Sequence, residues 1–443
     1  MAFTSLPALP VLHGLRIPQK KEEKEVPEFA FTAPLLALAK ANKSSELADN
    51  WKAGTDAREW RGVSERDGKL VELMVDACGI TEVPTAFFDL PDIEKLWLSN
   101  NGLRSLPEEV CNLQSLHSLW LGSNLLRGLP PCLPRLAGLR QLWLPANLLS
   151  GVLPRELCGL ELLEWLDVSE NKLEEVCEEI GNLTSLTRLD LHTNQLRELP
   201  EAIGRLTRVK HLSLHFNQLE SLPPALGSCT ALVWLSLNAN RLTQLPEEMG
   251  QLTNLVRLSL HINQLTQLPP SLGRLSRLEA LSAHKNALTH LPPELPAGIG
   301  PGGCCRLSLY ENQLAELPAE MGAMTGLQEL WLYSNHLTCI PPELGQLGEL
   351  RRLWLDRNRL THLPGEISGL TRLQELYLDH NQLGELPPQL GALTGLRKLY
   401  LEGNPASLVL PPEVAALPCL QQSADYGGQA EVEAFKQEML TYK

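Results

Sequence analysis

Residues 329–347 read ELWLYSNHLTCIPPELGQL. Leu330, Leu332 and Leu337 alternate or step as core residues do. Trp331 lies between two of them and Tyr333 follows. In an extended strand, neighbouring side chains point to opposite faces. If the leucines point inward, Trp331 and Tyr333 point outward, which raises the question of why two large rings stand there.

The same stretch recurs. The unit is L-x-x-L-x-L-x-x-N-x-L, followed by x-x-L-P and a second half ending in G-x-L. Its asparagines are Asn101, Asn124, Asn147, Asn171, Asn194, Asn217, Asn240, Asn263, Asn286, Asn312, Asn335, Asn358, Asn381 and Asn404. Their spacing is 23 residues, apart from one interval of 24 and one of 26. A fifteenth unit precedes them, with Cys78 in the asparagine place. A fixed period of this length signals stacked repeats. L-x-L predicts a short strand with one face inward. The asparagine falls where the chain turns, and its amide can satisfy backbone groups that the turn leaves unpaired. The L-P that follows ends the strand and starts a loose helical or extended return. One unit cannot bury its own leucines, whereas stacked units share a continuous core. The expectation is an α/β solenoid of about 15 parallel strands, with an inner arc of roughly 70 Å at the usual strand spacing.

The pattern resembles the leucine-rich repeat superfamily over about residues 70–420. Second halves such as LPEEMGQLTNL (245–255) and LPPQLGALTGL (386–396) are similar to the intracellular Ras-group members. The resemblance implies a horseshoe whose concave parallel sheet binds other proteins. Residues 33–69, containing WRGV at 60–63, resemble the N-terminal cap of plant-type leucine-rich repeat receptors. That family carries two cysteines around this segment. Here Arg58 and Glu65 occupy those places, an expected ion pair in lieu of a disulfide. Residues 1–32 are expected to form a disordered charged tail, and 421–443 a C-terminal cap with a short amphipathic helix at 430–440.

Composition narrows the function. The chain has 443 residues, 43% of them hydrophobic, and a net charge of −14. Such acidity argues against a general affinity for nucleic acid or anionic lipid. No run of about 18 apolar residues is present, so no membrane span is expected. The N-terminal MAFTSLPALPVLHGLRIPQ is a poor secretory signal, although a short organelle-targeting segment is compatible with it. The ten cysteines show no CxxC and no zinc spacing. Scattered in this way, they suggest free thiols in a reducing compartment. Asn42 and Asn182 open N-x-S/T triplets, weak signs of secretion.

With the phase set, the outward central column reads Met74, Trp97, Trp120, Trp143, Asp167, Asp190, Ser213, Ser236, Ser259, Ser282, Ser308, Trp331, Trp354, Tyr377 and Tyr400. Two aromatic ladders flank five serines. Two residues further on, the next column includes His192, His215, His261, His284, Tyr310 and Tyr333, while Trp234 stands at a strand start. Inherited repeats stacking on one another would produce such ladders. Exposed rings rimmed by polar groups also mark interfaces. The second reading makes Trp97, Trp120, Trp143, Asp167, Asp190, His192, Ser213, His215, Trp234, Ser236, Ser259, His261, Ser282, His284, Tyr310, Trp331, Tyr333, Trp354, Tyr377 and Tyr400 a partner-binding set.

The same face carries groups capable of chemistry. Asp190, His192, Ser213 and His215 invite a hydrolase, but no nucleophile elbow or oxyanion loop accompanies them. The histidine column has metal-ligand character, yet it also serves as polar filler or as a pH-sensitive contact. The glycines of PAGIGPGGCC (296–305) lack a following Lys-Ser/Thr and read as a surface insertion. Ala283 and Cys304 replace core leucines beside it, predicting a flexible joint between the Ser282 and Ser308 strands. The expectation is therefore a monomeric, cytoplasmic, non-enzymatic scaffold in signalling, with no cofactor, no metal and a protein partner on the concave face. The alternative is a secreted or surface module binding peptide or glycan.

Overall fold

In a computed structural model, residues 29–300 and 303–422 are described. One 16-stranded sheet runs through the chain. Its first pair, Val63–Arg66 with Lys69–Met74, is antiparallel. From Lys69–Met74 to Lys398–Tyr400, fifteen strands then follow in parallel, one per repeat. Neighbours pair in the register the repeat dictates, with Leu330 beside Leu353 and Leu353 beside Leu376. Each strand is three residues long, apart from the first of the fifteen, so each repeat adds one buried leucine at the strand centre.

The inward leucines form one core from cap to last repeat; Leu330, Leu332, Leu353 and Leu355 have no exposed surface. The asparagines act as inferred. The Nδ2 of Asn217 donates to the carbonyls of Leu191 and Leu214, each at 3.0 Å. Its Oδ1 accepts from the backbone N–H of Leu196 at 3.1 Å. One side chain thus satisfies groups of its own turn and of the preceding repeat, where no backbone partner is in reach.

The return path is a short 3₁₀ turn in most repeats, for example Glu247–Gln251 and Pro388–Ala392. A 3₁₀ turn fits because the preceding proline sets an extended backbone and only about five residues remain to cross the outer side. Adjacent turns nearly touch there. A Cβ built on Gly227 or Gly250 would sit 2.4 Å from the next repeat's carbonyl oxygen, so the G of the unit is a packing requirement. In the 26-residue interval the 3₁₀ turn becomes a helix, Glu294–Ile299. The strands Ala280–Ser282 and Arg306–Ser308 still pair across it.

At the N-terminal end, helices Thr32–Ala41 and Glu46–Asn50 cover the first repeat, and Trp51 stacks on Trp60 with centroids 5.5 Å apart. Gly62 has φ +84°, and a Cβ there would collide with the Met74 carbonyl. This explains the glycine of the WRGV segment. The expected Arg58–Glu65 pair is corrected. Arg58 instead binds Asp56, Nη2 to Oδ2 at 2.7 Å, and lies over the Phe29 ring. Asp56 caps the turn at Ala57–Glu59 and is the nearer acid, while Glu65 accepts from the backbone N–H of Gly68. Of the tail expected at 1–32, residues 1–28 lie outside the described residues, as does the helix expected at 430–440, while Phe31 is buried and Thr32 opens the first helix.

The cysteines need a second correction. Eight are free, but Cys111 and Cys132 form a disulfide across adjacent outer turns. Cys111 stands where other repeats carry the close-packed glycine, and Cys132 where Ala225 meets Gly204. Two residues 21 apart in sequence are thereby brought together by the stacking of turns. Sequence spacing alone does not show this, because the contact belongs to the repeat and not to a cysteine motif.

Candidate partner-binding face

The outward residues of the parallel strands line one face, since positions two apart share a side. Its first ladder is Trp97, Trp120 and Trp143, stacked at 4.3 and 4.7 Å, with Trp165 edge-on to Trp143 at 5.6 Å. The first three rings are half-buried and Trp165 is 38% exposed. The second ladder is Trp331, Trp354, Tyr377 and Tyr400, stacked at 5.1, 5.4 and 4.8 Å. Beside it His261, His284, Tyr310 and Tyr333 form a column stacked at 4.4, 4.1 and 4.2 Å.

This overturns the expectation of wet rings at the C-terminal end. Trp331, Trp354 and Tyr377 are each 5% exposed and Tyr333 is 7% exposed. They make a second apolar cluster outside the leucine core, with Tyr310 and Tyr400 packed against it. Parallel strands lie about 4.8 Å apart, close to the contact distance of two stacked rings. Rings repeated at one phase therefore cover one another. Trp331 and Tyr333 point away from the core and are buried in a cluster of rings from neighbouring repeats.

Between the ladders lies a polar trough. Ser213, Ser236 and Ser308 are buried, while Ser259 and Ser282 are partly exposed. The Oγ of Ser236 lies 2.7 Å from Asn238 Oδ1 and 3.3 Å from His215 Nδ1; Ser308 Oγ lies 3.1 Å from His284 Nδ1. His192 and His215 stack at 4.3 Å. Burial holds His261 neutral, with its pKa pushed down to about 4, and His284 further, to about 2. The Nδ1 of His261 is buried without a partner. Trp234 is half-buried against His211.

The acids do not complete a catalytic chain. Asp190 is bound by Arg188, Nε to Oδ2 at 2.6 Å. Asp167 accepts from the backbone N–H and hydroxyl of Ser169 at 2.9 and 2.6 Å, and burial raises its pKa. His192 Nδ1 lies 3.1 Å from the Thr193 hydroxyl. Among the described residues no three His, Cys, Asp or Glu side chains are grouped to hold a metal ion.

Sequence reasoning passed over two residues. Phe216 and Ile262 are 52% and 43% exposed at the rim of the trough. They precede the repeat asparagine, where the backbone is left-handed in every repeat, with φ of 52° and 55° at these two. A branched or bulky side chain is unusual in that conformation. That mismatch between residue type and turn position is the signal that finds them.

With this geometry in view, the family can be stated. A family profile described as leucine rich repeat matches residues 325–383 and 348–406, and a second matches 92–113, 185–206 and 208–229. A leucine-rich repeat protein of Leptospira interrogans is 33% identical, with a TM-score of 0.69 over 79% of this chain and 94% of that one. The Arabidopsis receptor kinase HAESA, solved with the peptide hormone IDA and the co-receptor SERK1, is 29% identical. Its TM-score is 0.69, over 88% of this chain and 69% of that one. The plant peptide hormone receptor RGFR1, solved with RGF2, is 30% identical, with a TM-score of 0.63 over 82% and 67%. A comparison with curated proteins found no match. The chain belongs to the leucine-rich repeat superfamily, a fold that serves as a protein-interaction module. No helix among the described residues is long and apolar enough to cross a membrane.

Proposed function

We propose that this protein is a monomeric, non-enzymatic scaffold that holds a protein partner on its concave face. The observation carrying this reading is the half-exposed Trp97–Trp120–Trp143 ladder, which ends on the exposed Trp165 beside the polar trough. Rigid aromatic rings with one free edge and polar neighbours are the usual anchors of an interface. The buried second ladder serves as a stiff wall of the groove. Proximity labelling with the wild type and with Trp165→Ala plus Trp120→Ala tests the reading. Loss of specific neighbours is expected; an unchanged partner list in a folded variant would overturn it.

We place the scaffold in intracellular signalling. Eight of ten cysteines are free thiols, seven of them wholly or partly buried, which suits a reducing compartment. A secreted or surface module is the second reading, favoured by the Cys111–Cys132 bond and by the likeness to receptors solved with peptide hormones. Asn42 does not discriminate, because its amide is buried and bonded to Leu38 and Glu82. Asn182 is exposed. A glycan on Asn182, or an alkylation-resistant Cys111–Cys132 pair in protein from its native source, would decide for the second reading.

A further inference from the structure

Parallel pairing places Arg257, Ala280 and Arg306 side by side, with Ser259, Ser282 and Ser308 side by side two residues on. Residues two apart share a face, so both rows open onto the trough. Three strands at about 4.8 Å each set the two arginine backbones roughly 10 Å apart. Ala280 between them has the smallest side chain of its row, whose other members run from serine to tryptophan. The result is a notch at Ala280 with an arginine on each side and a row of serines next to it.

The notch is unsatisfied from within. Arg188 binds Asp190, and Arg352 binds Glu329 and Glu375, at 3.0 and 3.7 Å. Among the described residues Arg257 and Arg306 have no such ion pair and both are exposed. Among the described residues the hydroxyls of Ser259 and Ser282 have no side-chain partner, whereas Ser308 is taken by His284. Two acids stand nearby: Glu279, exposed at the start of the Ala280 strand, and Glu329, the register neighbour of Arg306, which feels the charge of Arg306 but forms its ion pair with Arg352. A cationic notch with free hydroxyls in a chain of net charge −14 goes against the background field. Guanidinium groups bind carboxylates through paired N–H donors, and flanking hydroxyls add further donors. Two arginines on either side of an alanine, with Glu329 next in the row, do not make the continuous basic track that a nucleic-acid backbone requires. At the far end of the Arg257 strand, the exposed Ile262 offers an apolar contact.

Resting on the concave-face reading above, we propose that Arg257, Arg306, Ser259 and Ser282 anchor a side-chain carboxylate of an extended acidic segment of the partner protein, whose apolar neighbour rests on Ile262. The assay is selection of a displayed library of random 12-residue peptides on the purified full chain. The best peptide is then titrated by fluorescence anisotropy, alongside its Glu→Gln form. Enrichment of Asp and Glu is expected, with a Kd at least tenfold higher for Arg257→Glu plus Arg306→Glu and for the Glu→Gln peptide. Both arginines are exposed, so circular dichroism should show the double variant folded. Selected peptides that are neutral or basic would overturn the proposal. So would acidic peptides that bind the double variant unchanged but are lost on Trp120→Ala, an outcome that leaves the concave-face reading standing. Failure to enrich any peptide would overturn both.

Discussion

The indole rings of Trp331 and Trp354 lie on adjacent strands with centroids 5.1 Å apart and planes inclined by 18°. Each is as buried as a core residue, although both point away from the leucines. The outward face of the sheet therefore carries a structural element of its own, and substitutions there test folding before they test binding.

Trp354→Ala is expected to cost stability on the scale of a buried aromatic, about 3–5 kcal/mol. Trp97→Ala, at the half-buried end of the first ladder, is expected to cost roughly half of that by the same measure. Urea unfolding of the two variants checks the order. Equal losses would mean that the second ladder is not a cohesive cluster.

Removing the outer-face bond should matter in oxidised protein alone. Cys111 and Cys132 close a loop of 21 residues, for which about 2–4 kcal/mol is typical. The double serine variant should unfold at lower denaturant than the wild type without reductant. The two should converge when reductant is present, and a difference that survives reduction would point to packing as the cause.

Acid should loosen the middle of the solenoid. Burial depresses the pKa of His261 to about 4 and of His284 to about 2, from 6.5. In a depressed histidine the unfolded chain binds the proton first. Stability is then complete above pH 6.5 and falls with acidification, by up to about 1.4 kcal/mol per pH unit for each histidine. Asp379 acts oppositely. Burial raises it from 3.8 to about 6, so protonation below pH 6 favours the fold. Unfolding titrations from pH 7 to 5 should show a net loss, shallower in His284→Phe and steeper in Asp379→Asn. A flat profile in the wild type would contradict the burial of these groups.

The insertion site should open first. Ala283 and Cys304 fill core positions that other repeats give to leucine, and the outer turn is a helix instead of a 3₁₀ turn. Amides of Ala280–Ser282 and Arg306–Ser308 are expected to exchange with solvent faster than those of the strands on either side. Slower exchange there would remove the joint.

The repeat was legible in the residues because it is a local rule copied many times. The alternation of Leu330 and Leu332, the place of Asn335 and the L-P break dictate strand, turn and return within 23 residues, and stacking leaves one way to bury the leucines. The direction of Trp331 followed from the same alternation, and the exposed backbone groups answered by Asn217 followed from the turn.

Contacts between copies were not legible. Whether outward rings are wet depends on what packs beside their stack: Trp97, Trp120 and Trp143 stack and stay half-buried, whereas Trp331, Trp354 and Tyr377 are sealed where Tyr310 and Tyr333 of the next column join their cluster. Whether Cys111 meets Cys132, whether Arg58 chooses Asp56 over Glu65, and that Arg257 and Arg306 form no ion pair among the described residues are equally matters of packing. Such contacts join residues of different repeats or compete over a few ångströms, distances that a one-dimensional pattern does not encode.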